Sequence, residues 1–486
     1  MAVAITVIMG SFVFLASIIS ISIFCVYLVA FWKGKERRHG KRVSIFVIYA
    51  CVFGIPLAVS GVYSFEASSF LGANFSIYSA IVSFSLALTF MYTFLNVPLT
   101  IYHKKHEAGV KPPTAFPLIT IIVPACNEEH CLTRTLDSLV EADYPNKEII
   151  VVDDGSVDRT YSVASQYKKF ADGTLFAVVR KPENGGKSSA INHGLLFAKG
   201  EYIVTVDADS MVTRDSLKAI VKYFQDPSVA GVGGNIKVLN RGSLLTNCQA
   251  LEYLVGINLW RRAFDIFGVV MVVPGALGAF SKKIIRQAGN YDNDTVTEDF
   301  DMTVKALKSG KVVQASSRAM AYTEVPASLK DFYKQRIRWY RGNMQTFIKH
   351  RDIATNSRYA MLRQYGYPIT VFTMLCLPIL GIVIGVAGVM AILEGMWLFI
   401  LFSFVLFACL QFVLSAIALV IDEEDDWKVI LYSPLLVVGY KHLVDFMIIK
   451  GVLDVVLRRR ESLSWTSAKL SRRKEAGASA LARIPK

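Results

Sequence analysis

LITIIVPACNEE, residues Leu118 to Glu129, is an apolar run that closes on proline, asparagine and two glutamates. A run this short, rich in β-branched residues and ended by turn formers, reads as a buried strand. Leu132 to Glu141 follows with helical spacing, and KEIIVVDDGSVDRT, Lys147 to Thr160, is a second buried-strand run ending in acids and glycine. LFAVVRK (Leu175 to Lys181) and EYIVTVDADS (Glu201 to Ser210) add two more strands. Strands that alternate with helices imply an α/β domain with a mainly parallel sheet, whose ligands bind beyond the carboxyl ends of its strands. The polar clusters fall at those ends: Asn127 with Glu128, Asp153 with Asp154, Asp207 with Asp209.

Outward from this domain the composition changes. The chain has 486 residues and is 53% hydrophobic, high for a wholly soluble protein. Ile5 to Trp32, Val43 to Phe65 and Ser76 to Ile101 are mostly uncharged runs of the length that crosses a roughly 30 Å hydrocarbon core. The first lacks a basic leader and a small-residue cleavage site, so it reads as an anchor. Apolar runs resume at Tyr367 to Leu393 and Met396 to Ile421, joined by a turn at Glu394 and Gly395. A third stretch, Val429 to Leu457, is interrupted by Lys441, His442, Asp445, Lys450 and Asp454, groups too costly to face lipid when charged.

The basic loops Lys33 to Arg42 and His103 to His106 both prefer the cytoplasmic side, which puts the middle domain there and the N-terminus outside. The same rule leaves the basic tail unresolved: either the interrupted stretch is a hairpin or re-entrant segment, or the tail breaks the rule. The expected organisation is a three-span membrane section (1–102), a cytoplasmic α/β domain (103–325), interfacial helices (326–366), a second membrane section (367–457) and a basic cytoplasmic tail (458–486). The net charge of +14 does not imply nucleic acid, because many basic residues flank membrane runs and match inner-leaflet charge. The seven cysteines form no zinc-like pair.

Each polar cluster has a bland alternative and a chemical one. Asp153-Asp154-Gly155-Ser156 can simply turn the chain and cap a helix, as can Asp207-Ala208-Asp209. Two carboxylates one residue apart at a strand end can also approach one divalent cation, and Mg²⁺ or Mn²⁺ prefers such oxygen ligands together with a diphosphate. Asn184 to Ser189 (NGGKSS) starts a helix after a strand, so its amides and Lys187 can meet phosphate, although its glycine spacing is not that of a P-loop. Thr297-Glu298-Asp299 either caps a helix or supplies a general base that takes a proton from a sugar hydroxyl. In QRIRWYRG, Gln335 to Gly342, the residues Gln335, Arg338 and Trp339 share one helical face. A guanidinium there can grip diphosphate and an indole can stack on a sugar ring.

Taken in order, VPACNEE, VVDDGS, NGGKSSAIN, VDADS, TED and QRIRW resemble the membrane-embedded family 2 glycosyltransferases, which include the synthases of poly-N-acetylglucosamine, hyaluronan, chitin and cellulose. The resemblance covers about residues 115 to 345. It implies a GT-A (Rossmann-like) fold inserted between transmembrane helices, inverting transfer from a UDP-sugar such as UDP-GlcNAc or UDP-Glc, a Mg²⁺ or Mn²⁺ ion, and a plasma-membrane location. Carried over by residue, it implies that Asn127, Glu128, Asp153 and Asp154 bind the nucleotide sugar and that Asp207 and Asp209 hold metal and diphosphate. It implies Asp299 as the base with Glu298 beside it, and Lys187, Gln335, Arg338 and Trp339 as the frame for diphosphate and acceptor. The acceptor it implies is a growing glycan, extended processively and passed through the protein's own bundle; transfer of one sugar to a membrane lipid is the alternative.

Overall fold

The computed structural model describes residue 81, residues 96–167 and residues 175–457. The first two expected spans, most of the third, and the basic tail lie outside the described residues. The described residues sort into two compact units. One holds the residues up to Gly109 together with Leu254–Phe267 and Gln364–Phe446; the other holds Val110–Tyr253, Gly268–Arg363 and the residues from Met447.

The second unit is an α/β domain around an eight-stranded sheet. Its strands are β1 (Ile119–Ala125), β2 (Lys147–Asp154), β3 (Leu175–Lys181), β4 (Tyr202–Thr205), β5 (Ser210–Val212), β6 (Val229–Val238), β7 (Gly278–Ser281) and β8 (Val312–Thr323), in the order β3-β2-β1-β4-β7-β6-β8-β5. β1 and β2 are buried along their whole length, as parallel strands covered on both faces must be. The β1–β2, β1–β4, β2–β3 and β6–β8 pairs are parallel, whereas β7 runs antiparallel to β4 and β6, and β5 to β8.

Helix α1 (Leu132–Glu141) buries Leu132, Leu136 and Leu139, the stripe that its helical spacing anticipates. Helix α2 (Thr160–Gln166) follows β2. Helix α3 (Lys187–Phe197) lies close against the sheet at Gly194, where a Cβ would fall 2.9 Å from Ile122 Cγ2 and 3.2 Å from Val152 Cγ2. Any side chain there would lift the helix away from β1 and β2. Beyond the sheet come α4 (Leu244–Glu252), α5 (Glu298–Lys308) and α6 (Leu329–Lys349); Ser328 caps α6 by accepting a hydrogen bond from the Asp331 N–H at 3.1 Å.

In the other unit, α7 (Tyr367–Leu393) and α8 (Trp397–Asp422) are predominantly apolar, and two helices, Leu362–Leu393 and Trp397–Asp422, are long and apolar enough to cross a membrane. Gly395, at φ +82°, makes the turn between them. Buried polar contacts stand in this unit: Arg262 pairs with Asp422 at 2.9 Å, and His103 Nε2 lies 3.2 Å from Asp265 Oδ2. The interrupted third stretch is two pieces, a 3₁₀ helix at Trp427–Leu436 and α9 (Tyr440–Val456), separated at Gly439 with φ +90°. Its charged groups pair one turn apart, Lys441 with Asp445 at 2.5 Å in this unit and Lys450 with Asp454 in the part of α9 that belongs to the α/β unit.

Candidate active site

The strand ends set the site. β4 runs out at Thr205, the Val206 N–H continues the pairing to the Ile122 carbonyl at 3.2 Å, and the chain turns at Asp207, whose carbonyl accepts from the Ser210 N–H at 3.0 Å. Asp207 and Asp209 are thereby held, half-buried, at the carboxyl edge of the parallel strands. Hydroxyls of Ser210 and Thr323 approach Asp209 Oδ1 at 3.4 Å each.

Lys187, the first residue of α3, crosses to this edge. Its Nζ lies 2.7 Å from Asp207 Oδ1 and 2.8 Å from Glu298 Oε1, so residues from β4, α3 and α5 meet at one ammonium. Gly275 makes room for it: a Cβ there would sit 2.3 Å from Lys187 Nζ and 3.5 Å from Asp207 Oδ1. The Gly275 N–H points to Asp299 Oδ2 at 3.4 Å, and the Phe300 N–H donates to Asp299 Oδ1 at 2.8 Å. Burial, and then the adjacent Glu298 carboxylate, raise the Asp299 pKa to about 6 against the opposing pull of Lys187. Burial alone would lower the Lys187 pKa, but Asp207, Glu298 and Asp299 together hold the ammonium above its ordinary value.

The remaining sequence candidates divide. Asp154 is fully buried and its carboxylate is engaged, by Lys181, by the Gly185 N–H at 3.1 Å and by the Gly186 N–H at 2.8 Å. It anchors the loop that launches α3. Asp153, equally buried, accepts from the Ser156 N–H at 3.1 Å and faces Arg180 at 3.2 Å. Between Asp154 and Ser156, Gly155 holds φ +70°, and a Cβ there would come within 2.6 Å of the Asn184 N. Asn127, in the left-handed region at φ +56°, knits β1 to the same turn: its N–H donates to Ser156 Oγ at 3.0 Å and its Oδ1 accepts from the Val157 N–H at 3.0 Å. Glu128 is buried, with the Cys131 thiol donating to its Oε2 at 2.9 Å.

Helix α6 belongs to the same unit and packs on the start of α5, since a Cβ on Gly342 would fall 2.6 Å from Thr297 Oγ1. Gln335 Oε1 is buried with no hydrogen-bond partner, and among the described residues Arg338, half-buried, forms no hydrogen bond or ion pair. Both keep hydrogen-bonding capacity that the described residues do not use. Trp339 stacks on a neighbouring guanidinium: Arg336 Cζ is 4.4 Å from its ring centroid. Arg336 itself is buried and reaches Glu252 at 2.6 Å. Tyr253, next to Glu252, has its pKa raised to about 12, chiefly by burial, and feels Arg336 as well as Asp209 and Asp207.

The sequence reading passed over Arg336, Glu252, Tyr253 and the role of Gly275. For Arg336 no local signal was available, because its burial is set by Glu252, 84 residues earlier. A separate carboxylate group, Asp292, Asp294 and Asp301, brings its oxygens within 4.8 Å of one another. Lysines occupy it: Lys349 lies 2.6 Å from Asp292, 2.7 Å from Asp294 and 3.0 Å from Asp301, with Lys305 2.8 Å from Asp292 and His350 2.8 Å from Asp301.

Residues 120–287 match the family model for glycosyl transferase family 2. A poly-beta-1,6-N-acetyl-D-glucosamine synthase of Staphylococcus epidermidis is 30% identical over 232 residues, 48% of this chain and 56% of that protein. The synthase of the same name from Staphylococcus aureus (strain COL) is 31% identical over the same extent. The chain thus spans about half the length of the curated relatives it matches. A mannosyltransferase from Pyrobaculum calidifontis, solved in complex with GDP-Man and Mn²⁺, superposes with a TM-score of 0.56 at 20% identity, covering 78% of this chain and 100% of that one. That likeness shows the GT-A-like α/β fold.

Proposed function

We propose that this chain, whose central region is a family 2 glycosyltransferase domain, is a membrane-embedded inverting synthase that extends a β-linked polysaccharide from a UDP-sugar, UDP-GlcNAc or UDP-Glc, and passes the polymer through its own transmembrane bundle. The observation that carries the reading is the meeting of Asp207, Glu298 and Asp299 around Lys187 at the carboxyl edge of the parallel strands. The names of the staphylococcal relatives favour N-acetylglucosamine as the sugar.

In this reading Asp299 is the base. Its pKa near 6 leaves it ionised at neutral pH yet more basic than an ordinary carboxylate, suited to take the proton of an acceptor hydroxyl as that oxygen attacks the anomeric carbon. Glu298 and Lys187 fix its surroundings. Gln335 and Arg338 present unsatisfied polar groups to the diphosphate, and Trp339 offers a ring face to the acceptor sugar. Asp207 and Asp209 are oxygen-only donors two residues apart at a strand end, a set that fits Mg²⁺ or Mn²⁺. Such an ion, when bound, supplies positive charge to the departing diphosphate. Asn127, Glu128, Asp153 and Asp154 act on the nucleotide through the loops they hold.

The same reading places the domain (103–325) and its interfacial helices (326–366) on the cytoplasmic side of the plasma membrane, between membrane sections 1–102 and 367–457, with lipids around them. Purified protein in detergent, given radiolabelled UDP-GlcNAc or UDP-Glc with Mg²⁺ or Mn²⁺, should build a long polymer. A single labelled glycolipid band would replace the synthase reading with single-sugar transfer to lipid, and no transfer from either donor would remove both.

A further inference from the structure

Residues 289–297 lead into α5 and carry none of the motif residues before Thr297. Gly289 and Asn290 hold φ +83° and +65°, a left-handed pair that turns the chain after the helix Lys282–Gln287. Side chains from three helices then grip this loop. Lys305 of α5 donates to the Asn290 carbonyl at 2.8 Å, and Lys349 of α6 reaches Asp292 and Asp294. From α3, Asn192 meets the backbone of Tyr291 in both directions: its Nδ2 donates to the Tyr291 carbonyl at 2.7 Å, and its Oδ1 accepts from the Tyr291 N–H at 3.0 Å.

That paired contact has a consequence for the acids. Asn192 lies five residues beyond Lys187 on the same helix, about 7 Å along its axis. Helix α3 therefore holds the start of α5 at one point, Lys187 on Glu298, and the loop that leads into it at a second, Asn192 on Tyr291. The first joins two long side chains with several rotamers each. The second is short, planar and two-pronged, so it fixes the backbone of the loop that enters α5 more tightly. Tyr291 is buried beside the cluster, close enough for Glu298, Lys187 and Asp299 to act on its phenol.

We infer that Asn192 is a positioning residue: by clamping the Tyr291 backbone it holds the start of α5, and with it Glu298 and Asp299, in register with Lys187 and Asp207. The inference rests on the sugar-transfer reading of that cluster. Asn192 is not expected to touch substrate, so nucleotide-sugar binding should survive its loss while turnover does not.

The test uses the purified full chain. Asn192→Ala removes both hydrogen bonds, and Asn192→Asp keeps only the acceptor. For Asn192→Ala, kcat of sugar transfer is expected to fall about tenfold or more, with KM for the nucleotide sugar within about threefold of wild type. Deuterium uptake should rise across residues 289–301 and stay unchanged in β1 and β2, and in Asn192→Asp, which sets a carboxylate oxygen against the Tyr291 carbonyl, it should rise at least as far. If Asn192→Ala does not fold, the same measurements on Asn192→Asp decide the matter. Wild-type kcat in the variant, or uptake that rises evenly through the whole unit, overturns the inference. A wild type that transfers no sugar defeats the reading of the site, and the deuterium pattern alone then decides whether the clamp exists.

Discussion

Lys187 Nζ stands 2.8 Å from Glu298 Oε1, bridging the helix after β3 to the helix that carries Asp299. Lys187→Met should therefore do more than remove a charge. It leaves three carboxylates facing one another without their cation, so kcat should drop about a hundredfold or more, with the loss concentrated in turnover. Steady-state kinetics on the folded variant checks this.

The Asp299 carboxyl, raised to about 6, gives the pH dependence a sign. A base must be ionised, and Asp299 is protonated below that value, so turnover should rise with pH and reach half its plateau near 6. In Lys187→Met the downward pull of the ammonium is gone, and the rising limb should move to higher pH. Asp299→Asn should cost about a hundredfold to ten-thousandfold in kcat and abolish the limb. A pH–rate profile of each protein reads all three outcomes.

Asp209→Ala should eliminate divalent-cation-dependent turnover, and EDTA should inactivate the wild type until Mn²⁺ or Mg²⁺ is restored. Titrating Mn²⁺ back into both proteins separates a lost ligand from a misfolded domain, because only the wild type should recover.

The two arginines of QRIRW should part company. Arg336 is buried on Glu252, so Arg336→Met removes a buried ion pair and should cost about 3 kcal/mol of stability. Arg338 forms no hydrogen bond or ion pair among the described residues, so Arg338→Ala should change stability by no more than about 0.5 kcal/mol while cutting sugar transfer about a hundredfold. Thermal unfolding in detergent beside an activity assay distinguishes them.

Gly155→Ala should destabilise the central unit by about 1–3 kcal/mol, since the new methyl group meets the Asn184 backbone at 2.6 Å and the residue sits at φ +70°. Thermal melts of the variant check it.

Much of this domain could be read before any coordinates. β1, β2 and α1 stood out because unbroken apolar runs and a helical stripe are long enough to be unambiguous. β5 and β7 did not, because Ser210–Val212 and Gly278–Ser281 are three and four residues long and gain their strand character only from antiparallel partners far away in sequence. The acids showed the same limit. Spacing placed Asp153 and Asp154 at a strand end, but could not tell that Asp154 is taken up by the Gly185 and Gly186 amides. Nor could it tell which arginine of QRIRW is buried, since that is settled by Glu252, 84 residues earlier. The grip of Asn192 on Tyr291 spans 99 residues and leaves no local trace.

Because β8, which joins β6 to β5, ends at Thr323 and α6 ends at Lys349, every strand of the sheet leaves the ribosome before the first residue of α7. The α/β unit can thus close its sheet while the later apolar helices are still unmade, so strand pairing does not compete with the ordering of those helices.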